Sequence, residues 1–183
     1  GYTASLAAGT NSPQYNATLV NGAAGIAFDG NDYLLLDGTL NSYRTLFIVY
    51  EDTSTAQYVT PVGSIYNTPQ SGGSYHGNID DTQLFSTEYT SALTRNGAII
   101  SDGTATTSAI GRPDTWSLNT YMATATLTNR ITTIGSDNAL PTSRGINGGI
   151  AELILYDREL SSPELNAVGA YLGPKYSLST NYG

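Results

Sequence analysis

The stretch from Gly148 to Tyr176 constrains the fold more than any other part of the chain. Leu153 to Tyr156 are consecutive apolar residues, as in a strand covered on both faces. Ser161 and Glu164 stand at the S/T-x-x-E spacing of a helix capping box. Leu160 and Leu165 flank them where a hydrophobic staple would sit. Gly173 and Pro174 supply a stop signal. The order is a strand, a tight corner and a short capped helix, expected over about 162–172.

Turn signals punctuate the rest: Asn21-Gly22, Asp29-Gly30, Asp37-Gly38, Gly72-Gly73, Gly77-Asn78, Asn96-Gly97, Asp102-Gly103 and Asn147-Gly148. Between them lie short β-prone runs. Strands are expected at 25–28, 32–36, 44–51, 58–64, 81–86, 90–95, 98–101, 116–127, 131–134 and 149–156. Many short strands at such spacing indicate a sandwich or a barrel. Run 44–51 is apolar on both faces, with Leu46, Ile48 and Tyr50 on one and Phe47 and Val49 on the other. It should be a central strand with cover on both sides. Residues 1–22 carry little periodicity and are expected as an extended lead-in. Segments 102–114 and 135–147 have the composition of loops. No repeat or linker divides the chain, so residues 1–183 are expected to form one domain. Expected core residues are Ile26, Phe28, Leu35, Leu46, Ile48, Val62, Leu84, Leu127, Ile134, Ile150, Leu153, Leu155 and Leu165.

The closing stretch resembles the signature of the concanavalin A-like, laminin-G-like domains: G-x-I-A-E-x-x-x-Y-D-R-x-L-S-x-x-E, then Y-L-x-x-K-Y-x-L. Gly25 to Leu34 is similar to that family's early F-D-G-x-x-D-Y-L hairpin. Thr45 to Tyr50 looks like its central strand, and Asn96-Gly97 resembles its mid-domain turn. The resemblance implies an all-β fold: a two-sheet antiparallel jelly-roll sandwich with one short C-terminal helix. It constrains function less, because this sandwich hosts lectins, adhesion modules and glycan-cleaving enzymes.

Charge narrows the partners. Fifteen acidic residues against seven basic ones give a net charge of -8. Nucleic-acid binding needs clustered Lys and Arg to displace counterions, and no basic run exists. Attraction to anionic lipid is not expected for the same reason. No apolar run is long enough to span a bilayer, so membrane insertion is not expected. The absence of Cys excludes disulfides and Cys-ligated zinc. Only 12% of residues are charged, so the surface must be covered by hydroxyls and amides, as suits an extracellular, cell-surface or virion protein. Residue 1 is Gly, so processing, or a longer parent chain, is expected. Asn16-Ala17-Thr18 fits the N-glycosylation sequon, a match that also arises by chance in a Thr-rich chain.

Candidate chemistry is sparse. Glycoside hydrolysis needs two carboxyl groups roughly 5–10 Å apart across the bond. Enzymes with this sandwich carry E-x-D-x-x-E on one strand, and that motif is absent. The nearest acids are Glu152, Asp157 and Glu159, and structural roles suit them better. His76 is the sole histidine and cannot build a multi-His metal site. No G-x-S-x-G elbow accompanies it. A catalytic set is therefore not expected, and the chain is expected not to be an enzyme. Asp29 and Asp32 flank a D-G turn and could hold calcium, although D-G is also a plain turn signal. No cofactor is required by anything in the sequence. Asp80-Asp81 is a second acidic pair with the same two readings.

Aromatics are the remaining candidates, because sugar C–H faces pack on flat rings. Trp116, Tyr66, Tyr75, Tyr89 and Tyr121 lie in or near loop-like segments. Tyr75, His76 and Trp116 are the first choices for a ligand surface, although Trp116 begins an apolar-rich run and a residue so placed is more often core. The expected function is a recognition or adhesion module that binds a glycan or a surface protein. The alternatives are an assembly domain that packs on copies of itself or within a virion or filament, and a glycan-active enzyme.

Overall fold

The computed structural model describes residues 3–6, 12–40, 43–55, 59–63, 76–78, 92–101, 113–127, 131–136 and 145–183. Within them lie β1 (Ala4–Leu6), β2 (Gln14–Val20), β3 (Ala23–Asp29), β4 (Leu34–Leu40), β5 (Tyr43–Asp52), β6 (Val59–Gly63) and β7 (His76–Asn78). They continue with β8 (Ala92–Arg95), β9 (Ala98–Ser101), β10 (Ser117–Leu127), β11 (Ile131–Ile134), β12 (Asn147–Tyr156) and α1 (Ser162–Lys175). A five-stranded sheet has the order β1-β4-β11-β6-β7, and a seven-stranded sheet β2-β3-β12-β5-β10-β8-β9. Every pairing is antiparallel. The fold is a two-sheet β-sandwich with one C-terminal helix. The strand expected at 81–86, with Leu84, lies outside the described residues, as do Asp80-Asp81 and residues 102–112.

Two hydrophobic cores share β5. Leu46, Ile48 and Tyr50 point between the sheets, onto Val59, Val62 and Ile131 of the smaller sheet. Phe47 and Val49 point the other way, onto Leu160 and Leu172 of the helix layer. The period of two thus sends alternate residues of one strand into different cores, as the sequence pattern requires. Phe28, Leu46, Ile48, Val62 and Ile150 are buried between the sheets, with Ile26, Ile134, Leu153 and Leu155 packed against them. Leu36, not Leu35, joins this cluster. Three successive leucines carry no period, so the choice fell to pairing rather than pattern.

Among the described residues, Asn21-Gly22 and Asn96-Gly97 form tight hairpins. Their φ values, 49° and 90°, then 50° and 81°, are positive at both central positions, as a type I′ turn requires. Asp29-Gly30 behaves differently. β3 belongs to the larger sheet and β4 to the smaller, so this corner crosses between sheets and is not a hairpin. Residues 4–6 and 14–20, expected within an extended lead-in, are instead β1 and β2, the outermost strands of the two sheets. Five of the seven β2 residues are exposed, which erases the alternation that would have marked a strand.

α1 starts where the sequence places it. The Ser161 amide and hydroxyl both donate to one Glu164 carboxylate oxygen, at 2.9 and 2.7 Å. Leu160 and Leu165 pack into the same cluster, as a staple should. The helix ends three residues later than expected, at Lys175. Pro174 fits inside the last turn because its φ is helical and it merely lacks an N–H. The true stop is Ser177, at φ 52°. The Leu178 amide donates to the Gly173 carbonyl at 2.9 Å, and the Ser177 amide to the Pro174 carbonyl at 3.2 Å. These two bonds make a Schellman motif built on serine in the glycine position.

A bulge in β12 fixes the helix laterally. Ile150 pairs with Tyr50 and Glu152 with Val49, so Ala151 is the extra residue. Ile150 faces the inter-sheet core, while Ala151 and Glu152 face the helix. Glu152 there accepts from Lys175 Nζ at 2.5 Å and from the Tyr176 hydroxyl at 2.6 Å. Partial burial and the bond to Glu152 push the Tyr176 phenol up to about 12.

Candidate functional site

The inner face of a sandwich sheet should be apolar. β10 breaks that rule. Leu118 and Thr120 lie opposite Val49 and Phe47, on the helix side. Ser117, Asn119 and Tyr121 lie opposite Tyr50, Ile48 and Leu46, on the inner side. Arg95 of β8 sits opposite Asn119. A polar row therefore runs across the inner face of the larger sheet.

Arg95, Asn119 and Ser117 form a connected relay within the row. Arg95 Nε donates to Asn119 Oδ1 at 3.2 Å. Asn119 Nδ2 donates to Ser117 Oγ at 2.9 Å and to the Ser117 carbonyl at 3.3 Å. Asn119 is wholly buried, and Ser117, Tyr50 and Tyr121 nearly so. Burying such groups without partners costs several kcal/mol, roughly 2–7 for an amide or hydroxyl, so the hydrogen bonds decide whether the row is tolerated. Burial raises the Tyr121 phenol well above its ordinary value, and the adjoining Tyr50 hydroxyl adds to the effect while Arg95 opposes it. The Tyr121 phenol thus stays a neutral hydroxyl at ordinary pH. Arg95 is half-buried and forms the outer end of the relay.

Chemically the row offers a guanidinium held in one plane, a carboxamide, a hydroxyl and two phenols. That set donates and accepts hydrogen bonds to neutral hydroxyls. The nearest buried carboxylate along β5 is Asp52, whose Oδ1 accepts from the Ser54 amide at 2.9 Å and the Asn147 amide at 3.1 Å. It is employed in holding the 52–54 turn against β12. Two of the acids weighed in the sequence also hold structure. Glu152 anchors the helix end, and Glu159 pairs with Arg44 Nη2 at 2.8 Å.

Among the described residues that the sequence singles out, Asp29 and Asp32 come together. Asp32 Oδ2 accepts from the Asp29 amide at 3.2 Å, and Asp29 Oδ1 from the Asn31 amide at 3.0 Å. Asp32 is buried, and desolvation first, then the Asp29 charge, raises its pKa. Among the described residues no cluster of three or more His, Asp or Glu assembles for a metal ion. The backbone of His76 lies in β7, on the edge of the smaller sheet. Trp116 packs into the helix-side core, so the two belong to different layers. A Cβ on Gly149 would stand 2.7 Å from the Trp116 ring, which shows how closely that ring covers β12. Tyr75, Tyr66 and Tyr89 lie outside the described residues. Arg95, Asn119 and Ser117 escaped the sequence reading. The signal was present as S-L-N-T-Y, where every second residue is polar or phenolic, but only the register shows which face is inward.

No family model, no curated protein and no solved structure matches this chain.

Proposed function

We propose that the chain is a non-catalytic recognition module, acting outside the cytoplasm, that binds a glycan at the Arg95 end of the inner polar row. The observation that carries this is the Ser117–Asn119–Arg95 relay. A purely structural sheet face is made more cheaply from apolar side chains. A half-buried arginine oriented by a buried amide is the arrangement expected where hydroxyl groups of a ligand are to be met in fixed geometry. The resemblance to laminin-G-like domains, and the absence from the sequence of the paired-acid strand motif of the glycan-cleaving members, support the same conclusion.

The test is calorimetric titration of the chain with a panel of soluble neutral and acidic oligosaccharides. Saturable binding to at least one is expected. Arg95→Ala and Asn119→Leu should each weaken it about tenfold or more, as loss of a charged or buried hydrogen bond does. Binding indifferent to both substitutions, or no binding across the panel, would sink the proposal. Turnover of a bound oligosaccharide would instead favour the enzyme alternative.

A further inference from the structure

The first 28 residues of the sequence contain no Asp, Glu, Lys or Arg. All fifteen acidic and seven basic residues fall at or after Asp29. The described part of this uncharged segment is not scattered over the fold. It forms β1, the outermost strand of the smaller sheet, and β2, the outermost strand of the larger one. β3 lies beside β2, and β4 beside β1. Because β3 and β4 are joined by the short corner at 30–33, both outermost strands lie on the same flank of the sandwich. The flank's nearest charge on β4 is Asp37, whose carboxylate accepts from the Thr3 amide at 2.8 Å.

That flank is also where large apolar side chains stand exposed. Leu6 of β1 is 58% exposed and Tyr15 of β2 is 70% exposed. The remaining large apolar side chain this exposed among the described residues, Tyr171 at 59%, is on the helix. Outermost strands are normally guarded by charges, especially Lys, or by Pro. Within β1 and β2 there is neither. The guard present is partial. β2 pairs regularly with β3 over Gln14–Asn16 and slips before Val20.

We infer that this flank is a self-association surface, on which a second copy of the chain docks through β1 and β2. The occupant follows from charge. Two chains of net charge -8 repel at long range, and repulsion is least where neither presents a charge. A basic partner would be drawn to the acidic remainder of the surface, not to this flank. An equally uncharged surface is the complement, and the same flank of another copy supplies it. A two-fold arrangement sets Gln14–Asn16 antiparallel to its own counterpart, with Tyr15 and Leu6 covered.

Light scattering on a sizing column decides the matter. The wild-type chain should elute with twice its own mass at high concentration. The dimer should tighten as sodium chloride rises, because salt screens repulsion and no cross-interface ion pair is lost. Tyr15→Asp and Leu6→Asp should restore the single-chain mass. Tyr171→Asp should leave the dimer intact. If an Asp variant loses its β-type circular dichroism, Tyr15→Thr, which suits a strand, should still weaken association about tenfold. A wild-type mass of one chain at every concentration and salt overturns the inference. So does a dimer that Tyr15→Asp and Tyr15→Thr leave untouched.

Discussion

The ring of Tyr182 fills the space that a side chain at Gly169 would need. A Cβ on Gly169 would stand 2.1 Å from the ring. From that seat the Tyr182 hydroxyl reaches Thr94 Oγ1 at 2.8 Å and Thr120 Oγ1 at 2.9 Å. One side chain thus crosses from the helix to two strands. Beside it the Asn181 amide donates to the Asn96 carbonyl at 2.6 Å, tying the tail to a hairpin turn.

Gly169→Ala should destabilise the protein although alanine is the better helix former. The propensity gain is about 1 kcal/mol, and overpacking costs about 1–3 kcal/mol. In a Tyr182→Ala background the clash is gone, and the same substitution should stabilise by up to about 1 kcal/mol. Urea unfolding of the four proteins measures this. The same sign in both backgrounds would refute the proposed contact.

Ser177→Gly should stabilise. The residue sits at φ 52°, where a Cβ costs roughly 1–2 kcal/mol that glycine avoids. Glycine's greater freedom in the unfolded chain returns part of that, leaving about 0.5–1 kcal/mol. A lowered melting temperature would show that the serine side chain has a role beyond its backbone.

Ser161→Ala should remove the helix cap and cost about 0.5–2 kcal/mol, with glycan affinity unchanged. Acid should act on the same corner. Arg158, then Ser161, lowers the Glu164 pKa from 4.5 to about 2. A depressed carboxylate stabilises above its unfolded value and stops doing so as pH falls through the folded one. Wild-type stability should therefore decline between about pH 4.5 and 2, and Glu164→Gln should flatten that decline. Identical acid profiles for the two proteins would argue against the Glu164 cap.

Asp32 should show the opposite sign. Its pKa is raised above 3.8, so the fold favours the neutral form. That preference is fully present below 3.8 and is lost as pH rises through the folded value. Asp32→Asn keeps an oxygen for the Asp29 amide and removes the buried charge. The variant should exceed the wild type in stability at neutral pH, with the gap closing toward pH 3. Melting curves at both pH values test it.

Legibility followed burial. β5 and the start of α1 could be read because burial on two sides, or a capping geometry, forces residue type at fixed spacing. β1 and β2 could not, since exposed outer strands impose no alternation. The helix end was misplaced because Gly173 and Pro174 resemble a stop, whereas the stop is made by the backbone of Ser177. The polar row was hidden for a further reason. Ser117 and Asn119 are ordinary residues for a strand, and their meaning depends on which side of the larger sheet they face, a relation fixed by the pairing of β10 with the sequence-distant β5.

Strand β5 has a consequence for how the sequence can change over time. Leu46, Ile48 and Tyr50 answer to one core, and Phe47 and Val49 to another. Between Leu46 and Tyr50 no position faces solvent, so none can drift neutrally. A compensating change for one residue must be sought between the sheets, and for its neighbour beneath the helix. As copies of this chain diverge, this strand should be the slowest clock in the molecule, and uncharged β2 among the fastest unless a partner holds it.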